Sequence, residues 1–454
     1  MAISKIPGAG VSADTLEAGD IAANAIGASE LADNAVDTDA IADDAVTNAK
    51  IGADAVSTTE IANDASISTS GNIATTGSGT LAVAGTSTLT GNATASGNLT
   101  VTGDIVPSTS LSHRNMIING AMTVAQRGTN QTSCSTTGFY SCDRMRLTLS
   151  SDWRVTQSQI ADGPGGFGYS WKVDITTADA SPGANDYLTL RYMMEGQDLQ
   201  HLKKGTAGAL PVTISFWVKA YQAGNYQFNL IDLDAGNRMI GGTYTINASA
   251  TWEYKTLTIA GDTTGQLGND NGASFLLEWW LDSGSSYQGG AVPTSWETQS
   301  DPDRMAATSH VRVGNHTDNY WQITGIQLEV GSNATPFEHR SFGEELLRCE
   351  RYFQIGAQCT GRAYGTANAE LYYSYRTRMR ANPSGSKRGA GTSVNDDTGR
   401  AHEAGVASYD INTLSINAVT TTGCCINVAQ TGTSWSAGDI IGIQGNPLNL
   451  DAEL

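Results

Sequence analysis

The sequence predicts a mainly β protein. An elongated shaft of short repeats, assembled from three chains, leads into heads of the β-sandwich or jelly-roll kind. Three observations carry this. Aliphatic residues recur at every fifth position from Ile6 to Ile61. Glycine recurs at every sixth position from Gly79 to Gly103. All 33 aromatic residues lie from Phe139 onward, so the repeats lack the side chains that dominate ordinary cores.

The first repeat, residues 1–65, has a true unit of ten. Asn24, Asn34, Asp44, Asp54 and Asp64 recur ten apart, each followed by alanine. Ser57 to Glu60 has the spacing of a capping box before Ile61. Each decad therefore reads as one short helical turn followed by an extended Asx-Ala-aliphatic step. A lone turn is unstable because helix nucleation is costly, so order requires stacking on neighbouring units or chains. A pentapeptide β-helix and a disordered segment are the rival readings.

The second repeat, residues 66–112, is a glycine hexad. Leu81 and Val83, or Leu99 and Val101, alternate within a hexad as in a strand, and glycine supplies the turn. One chain's apolar stripe is too thin to bury itself. Three chains around one axis close it as a triple β-helix, and a single-chain β-solenoid is the alternative. Pro107 and the polar run after it end the repeats.

Residues 113–341 read as the first head. TISFWVKA (213–220), YQFNLIDL (226–233), EYKTLTIA (253–260), SFLLEWWL (274–281) and YWQITGIQLEV (320–330) are rich in β-branched and aromatic residues. Gly/Asn/Asp/Ser clusters separate them. SFLLEWWL is apolar on both faces except at Glu278, which marks a central strand. The polar loops 261–273 and 282–303 are expected at the ends of the sandwich. FGEELLRCERYFQ (342–354) has helical spacing and opens residues 342–454, a second, smaller β-domain or a continuation of the first.

Charge narrows the function. Lys+Arg is 26 against 45 Asp+Glu, a net of −19. Such a chain is ill suited to bind nucleic acid, which needs clustered positive charge. No apolar run reaches the ~18 residues of a membrane span, and residues 1–15 do not have the pattern of a secretory signal.

HRNMIINGAMTVAQRG (113–128), CDRM (142–145), TISFWVKA, ITGIQLEVGSNATPFEHRSFGEELLRCERYFQ and RMRANPS (378–384) together resemble the receptor-binding region of tailed-phage tail fibres, especially those of marine phages. The decad and hexad repeats resemble the shafts of such fibres. The resemblance implies a virion protein assembled in the host cytoplasm as a homotrimer. It implies an N-terminus held by a tail, adaptor or baseplate protein, and C-terminal domains, with 342–454 as the tip, that meet a host surface polysaccharide such as lipopolysaccharide. Two further readings stand beside it, a polysaccharide-depolymerising tailspike and a purely structural fibre or decoration protein.

No motif points to an enzyme, a cofactor or a metal. The six histidines form no HExxH, the cysteines no CxxC, and no GxSxG is present. Asp301 with Asp303, and Asp396 with Asp397, are acidic pairs that a glycosidase would need, but they read as solvated loop charges. Sugar recognition fits better, because sugars offer apolar C–H faces and many hydroxyls. The Gly/Ser-rich loop 283–305 holds Tyr287, Trp296, Asp301, Asp303 and Arg304 as candidate ligand-binding residues. Its rival reading has Trp296 capping the sandwich end or packing at a trimer interface. Arg376 and Arg378, after Tyr372, Tyr373 and Tyr375, form a small basic stretch suited to an anionic glycan, or else a salt-bridged strand face. Trp217, Trp252, Trp279 and Trp321 lie in strands and are expected in the core. Cys134 and Cys142 are spaced to bridge a hairpin; buried free thiols are the alternative.

Overall fold

The computed structural model describes residues 112–150, 152–306, 309–356, 359–387, 401–403, 408–409, 411–430, 435–443 and 448–454. All of them belong to one unit, Val101–Leu454. The repeats, and with them the shaft and stem of residues 1–111, lie outside the described residues, as do Asp396 and Asp397.

Thirteen strands build the first body. They are Asn130–Cys134 (β1), Gly138–Phe139 (β2), Arg146–Ser150 (β3), Arg154–Ile160 (β4), Ser170–Thr177 (β5), Tyr187–Glu195 (β6) and Val212–Ala220 (β7). Gly224–Asp232 (β8), Arg238–Ile246 (β9), Glu253–Ile259 (β10), Ala273–Ser283 (β11), Glu297–Thr298 (β12) and Tyr320–Val330 (β13) follow. Sheet I has the order β1-β4-β5-β13-β7-β10, and sheet II the order β12-β9-β8-β11-β6-β3-β2. Every strand pair is antiparallel.

The two sheets enclose one core. Trp171, Phe216 and Trp321 from sheet I meet Leu190, Phe228 and Trp279 from sheet II, all fully buried. Trp279 packs edge-on against Phe216, with ring centroids 5.8 Å apart. The sandwich follows from alternation, since each strand sends every second side chain inward. β11 is the central strand of sheet II and is buried from Ser274 to Ser283, as its two-faced apolar pattern predicts.

The helix Phe342–Glu350 (α1) is capped by Ser341, whose side chain accepts from the Glu344 N–H. Glu344 and Glu345 favour its first turn. It ends four residues earlier than the pattern suggests, and the chain turns into strand again.

The second body contains Phe353–Gly356 (β14), Cys359–Ala363 (β15), Asn368–Ser374 (β16), Ser384–Lys387 (β17) and Ala401–Glu403 (β18). Ser408–Tyr409 (β19), Ile411–Asn417 (β20), Gly423–Gln430 (β21), Ile440–Ile443 (β22) and Leu448–Asp451 (β23) complete it. Sheet III has the order β14-β23-β17 and sheet IV the order β19-β18-β22-β15-β16-β21-β20. Their side chains make a core of their own around Leu371, Ile426, Trp435, Ile441 and Leu448.

Buried ion pairs join this body to the sandwich. Arg351 grips Glu195 with two nitrogens, at 2.7 and 2.6 Å. Arg144, 1% exposed, pairs with Glu453 and lies 3.5 Å above the Tyr352 ring. Leu454 packs beside Met193, Ile231, Met239 and Leu276 on the outside of sheet II.

Cys134 and Cys142 are both buried and unpaired. No bridge joins them in the structure, which has the free-thiol alternative at both positions. Burial raises the pKa of each thiol.

Candidate functional site

Apart from Trp296, the loop singled out in the sequence does not gather at the end of the sandwich. It folds back over the outer face of sheet II. β12 adds an edge strand beside β9, and the Gly241 N–H donates to Pro293 O. Outward-facing Gln227 and Asn229 of β8 donate to the carbonyls of Asp303 and Arg304.

The cause is Glu278. It is the one carboxylate in an otherwise apolar run, and in β11 it points outward at 0% exposure. Two guanidiniums neutralise it: Arg191 at 2.7 Å and Arg304 in a short ion pair. Burial pushes the Glu278 carboxyl up, and the two arginines more than reverse this, so its pKa ends lowered. Arg304 also lies 5.1 Å over the Trp280 ring, and Tyr287 stands 5.1 Å from the same ring.

The other sequence candidates are occupied in similar ways. The Trp296 Nε1–H donates to Ala260 O at 2.7 Å, while its ring stacks on Phe275 and carries Lys204 Nζ 5.0 Å from its centroid. Asp303 accepts from the Ala291 N–H, and Asp301 pairs with Arg304 at 3.4 Å. Arg376 pairs with Glu350 at 2.7 Å, and Arg378 donates to Thr421 Oγ1 at 3.2 Å. The structure brings Tyr287, Asp301, Asp303 and Arg304 together as a cover on sheet II, while Trp296 packs apart from them against the edge of the sandwich core, as its capping alternative has it. It leaves Arg376 and Arg378 on the second body.

The outer face of sheet I is buried along its middle, where Gln322, Thr324, Thr213 and Ser215 are at most 3% exposed, but reaches solvent toward Tyr221 and Tyr254, and there the core expectation needs correcting. Trp279 and Trp321 are fully buried, whereas Trp217 and Trp252 are only partly buried. In β7, Ile214, Phe216, Val218 and Ala220 point into the core, so Thr213, Ser215, Trp217 and Lys219 point out. Register then aligns partners across the sheet: Trp217 faces Tyr254 on β10 and Thr324 on β13, and Gln322 lies between Lys219 and Lys172.

The result is a row of rings with polar groups between them. Trp217 and Tyr254 have centroids 5.3 Å apart, and Tyr221 and Tyr320 6.2 Å. Tyr221 and Tyr254 are 44% and 42% exposed. Lys172 Nζ sits 4.7 Å from the Tyr320 centroid and 2.6 Å from Asp174. Lys219 lies 5.1 Å from the Trp252 ring and pairs with Asp162, which also accepts from Trp252 Nε1 at 3.2 Å. Burial raises the Asp162 pKa, and these two hydrogen bonds bring it below the usual carboxylate value.

Phe167 closes one end of the row, packed edge-on against Phe337 with centroids 5.0 Å apart. Gly325 makes this possible. It sits at φ +62° where the β13–β7 register shifts, and a Cβ there would meet the Phe167 ring at 2.7 Å. Each cation on the face has a carboxylate beside it, so the surface offers donors, acceptors and ring faces with little net charge. Among the described residues, no three His, Cys, Asp or Glu side chains gather to hold a metal ion.

No protein-family model matches the sequence, and no curated protein matches it. Solved structures do. One is the enzymatically active domain of tailspike protein 4 of bacteriophage CBA120, at 12% identity and a TM-score of 0.26. That match covers 48% of this chain and 21% of the tailspike chain, so only about a fifth of that protein is matched. Another is the family 11 carbohydrate-binding module of a cellulosomal cellulase of Clostridium thermocellum, at 12% identity and a TM-score of 0.24, covering 45% of this chain and 100% of the module. A third, described as a putative sugar binding protein from Bacteroides thetaiotaomicron, has 9% identity, a TM-score of 0.27 and coverage of 48% and 100%.

Proposed function

We propose that this chain is a fibre-type attachment protein of a tailed phage, and that the outer face of sheet I binds a glycan of the host surface. One observation carries the binding site: the 283–305 loop and the C-terminus pack on the outer face of sheet II, while on sheet I Tyr221 and Tyr254 are exposed beside the partly buried Trp217 and Tyr320, with Lys172 and Lys219 among them. Aromatic rings take the C–H face of a pyranose, and Lys172 and Lys219 reach its hydroxyls.

In this reading the protein adheres without cleaving its receptor. Residues 1–112 form the trimeric shaft, held at the N-terminus by a tail or baseplate protein. Three heads per fibre turn weak sugar contacts into durable attachment. The acidic composition suits a surface that avoids nucleic acid.

The test is binding of the full chain to purified bacterial envelope polysaccharides, with release of reducing ends followed in the same wells. Binding that needs Trp217 and Tyr254, with no new reducing ends, supports the proposal. Binding that survives loss of both rings removes sheet I as the site, and new reducing ends turn the reading to a tailspike. Sedimentation of the whole chain tests the shaft: a monomer ends the trimeric model.

A further inference from the structure

We propose that the second body carries a sugar site of its own, in a cleft of about 450 Å³ on the outer face of sheet IV. The inference rests on the reading of the chain as a glycan-binding protein, and it places a second point of contact on a separate core.

The cleft follows from register. β15 pairs with both β16 and β22, which sets Thr360 opposite Tyr372 and Arg362 opposite both Glu370 and Ile440. Cys359, Ala363, Leu371 and Ile441 point into the core. The side chains between them must then face solvent. Tyr364, Tyr372 and Ile440 are 61%, 64% and 55% exposed. Only eight large hydrophobic side chains are exposed among the described residues, and three of them line this one cleft. Such clustering of exposed apolar surface marks interaction sites.

The polar groups select the ligand. Tyr372 O–H donates to Glu370 Oε2 at 3.2 Å. Arg362 lines the same cleft and has no hydrogen-bond or ion-pair partner among the described residues. A guanidinium only donates and a carboxylate only accepts. An anion drawn to Arg362 would lie against Glu370, and a cation drawn to Glu370 would lie against Arg362. A vicinal diol satisfies both, because one hydroxyl accepts from Arg362 while its neighbour donates to Glu370. The two tyrosines and Ile440 then receive the apolar face of the ring. The ligand class is thus an uncharged pyranose, and the cleft volume suits one or two such units.

The test is nitration of the full-length protein with tetranitromethane, read tyrosine by tyrosine by peptide mass. The probes are neutral gluco-, galacto- and manno-oligosaccharides, with oligogalacturonate as the acidic arm. A neutral oligosaccharide is expected to slow nitration of Tyr364 and Tyr372, about tenfold when nine-tenths of the sites are filled. Arg362→Ala is expected to abolish this protection, each rate being read against the same variant's own sugar-free rate. Tyr221 and Tyr254 report on sheet I in the same digest. Protection at Tyr364 and Tyr372 without protection at Tyr221 and Tyr254 upholds the cleft and overturns the sandwich face. The converse pattern overturns the cleft and keeps the sandwich face. Failure of every neutral sugar to protect Tyr364 and Tyr372, or protection by oligogalacturonate alone, ends the proposal.

Discussion

Arg304→Met separates a binding role from an architectural one. Glu278 is fully buried, and Arg304 and Arg191 are its two cations. Removing one member of a buried ion pair costs about 3–5 kcal/mol when the other charge is left uncompensated. Here Arg191 stays at 2.7 Å and Trp280 Nε1 still donates at 3.2 Å, so roughly 2–3 kcal/mol is expected. For a body of this size each kcal/mol lowers Tm by about 2–4 °C, which gives a fall of about 4–12 °C. The pH dependence has a definite sign. Glu278 has a lowered pKa in the folded protein, so its contribution is full above the unfolded value of about 4.3 and is lost as pH falls through the folded one. Without Arg304 the folded pKa rises, so the deficit is largest at neutral pH and shrinks toward pH 4. The double variant Glu278→Gln/Arg304→Met is expected to regain most of the stability, since it leaves no buried charge without its partner except Arg191, which is partly exposed. Differential scanning calorimetry of the full chain reads all three quantities. A variant that melts with the wild type at neutral pH, yet no longer binds polysaccharide, would refute the structural role and restore Arg304 as a ligand.

Trp217→Ala and Tyr254→Ala are each expected to weaken polysaccharide binding by about 10–30-fold, the ~1.5–2 kcal/mol typical of an aromatic anchor; Asp301→Ala and Arg378→Ala serve as contrasts that leave titrations unchanged. Lys204→Met strips a buried ammonium from Asp232 and from Asp262 at 3.0 Å, as well as from the carbonyls of Thr264 and Gly265. Arg238 still holds Asp262, so a loss of about 3 kcal/mol and a Tm lower by about 6–12 °C are expected in thermal melts. The cysteines are expected to titrate as six free thiols in denaturant, and all but the partly exposed Cys425 to react slowly in the native protein, because burial pushes the thiols of Cys142 and Cys349 well up and that of Cys359 to about 12. An intact mass lower by two hydrogens before reduction would contradict this.

Strand positions were legible because short, dense β-branched and aromatic runs leave little choice of conformation. YWQITGIQLEV coincides with β13 from Tyr320 to Val330, and TISFWVKA lies within β7. Glu278 was legible as the exception in its strand, but not its consequence. A lone carboxylate on a central strand needs a cation, and Arg304, twenty-six residues away, meets that need by drawing its whole loop across the sheet. The polarity of residues 283–305 reads as solvent exposure when it reflects attachment to a polar outer face. Pairing across sequence distance does not show in any local pattern, so Tyr287, Asp301, Asp303 and Arg304 read as one loop group while their role on sheet II does not show.

Trp217 was misjudged for a different reason, and its sequence did hold the signal. Within TISFWVKA the side chains fall into two sets, Ile-Phe-Val-Ala and Thr-Ser-Trp-Lys. The first set is uniformly apolar and must be the core face, so the tryptophan belongs with threonine, serine and lysine. The same parity assigns Trp252 and Tyr254 with Thr256 and Thr258, opposite Leu257 and Ile259. A large ring placed on a polar face gains nothing from the interior of its own domain. The part of it that Tyr254 leaves uncovered is available to something outside, and the ion pairs Lys172–Asp174 and Lys219–Asp162 keep that surface wet and nearly neutral. Residue type alone sends tryptophan to the core, whereas parity sends Trp217 to the surface. The functional reading of sheet I follows from that difference, because an aromatic surface lined with hydrogen-bonding groups and no excess charge matches a sugar better than a nucleic acid, a membrane or an apolar peptide.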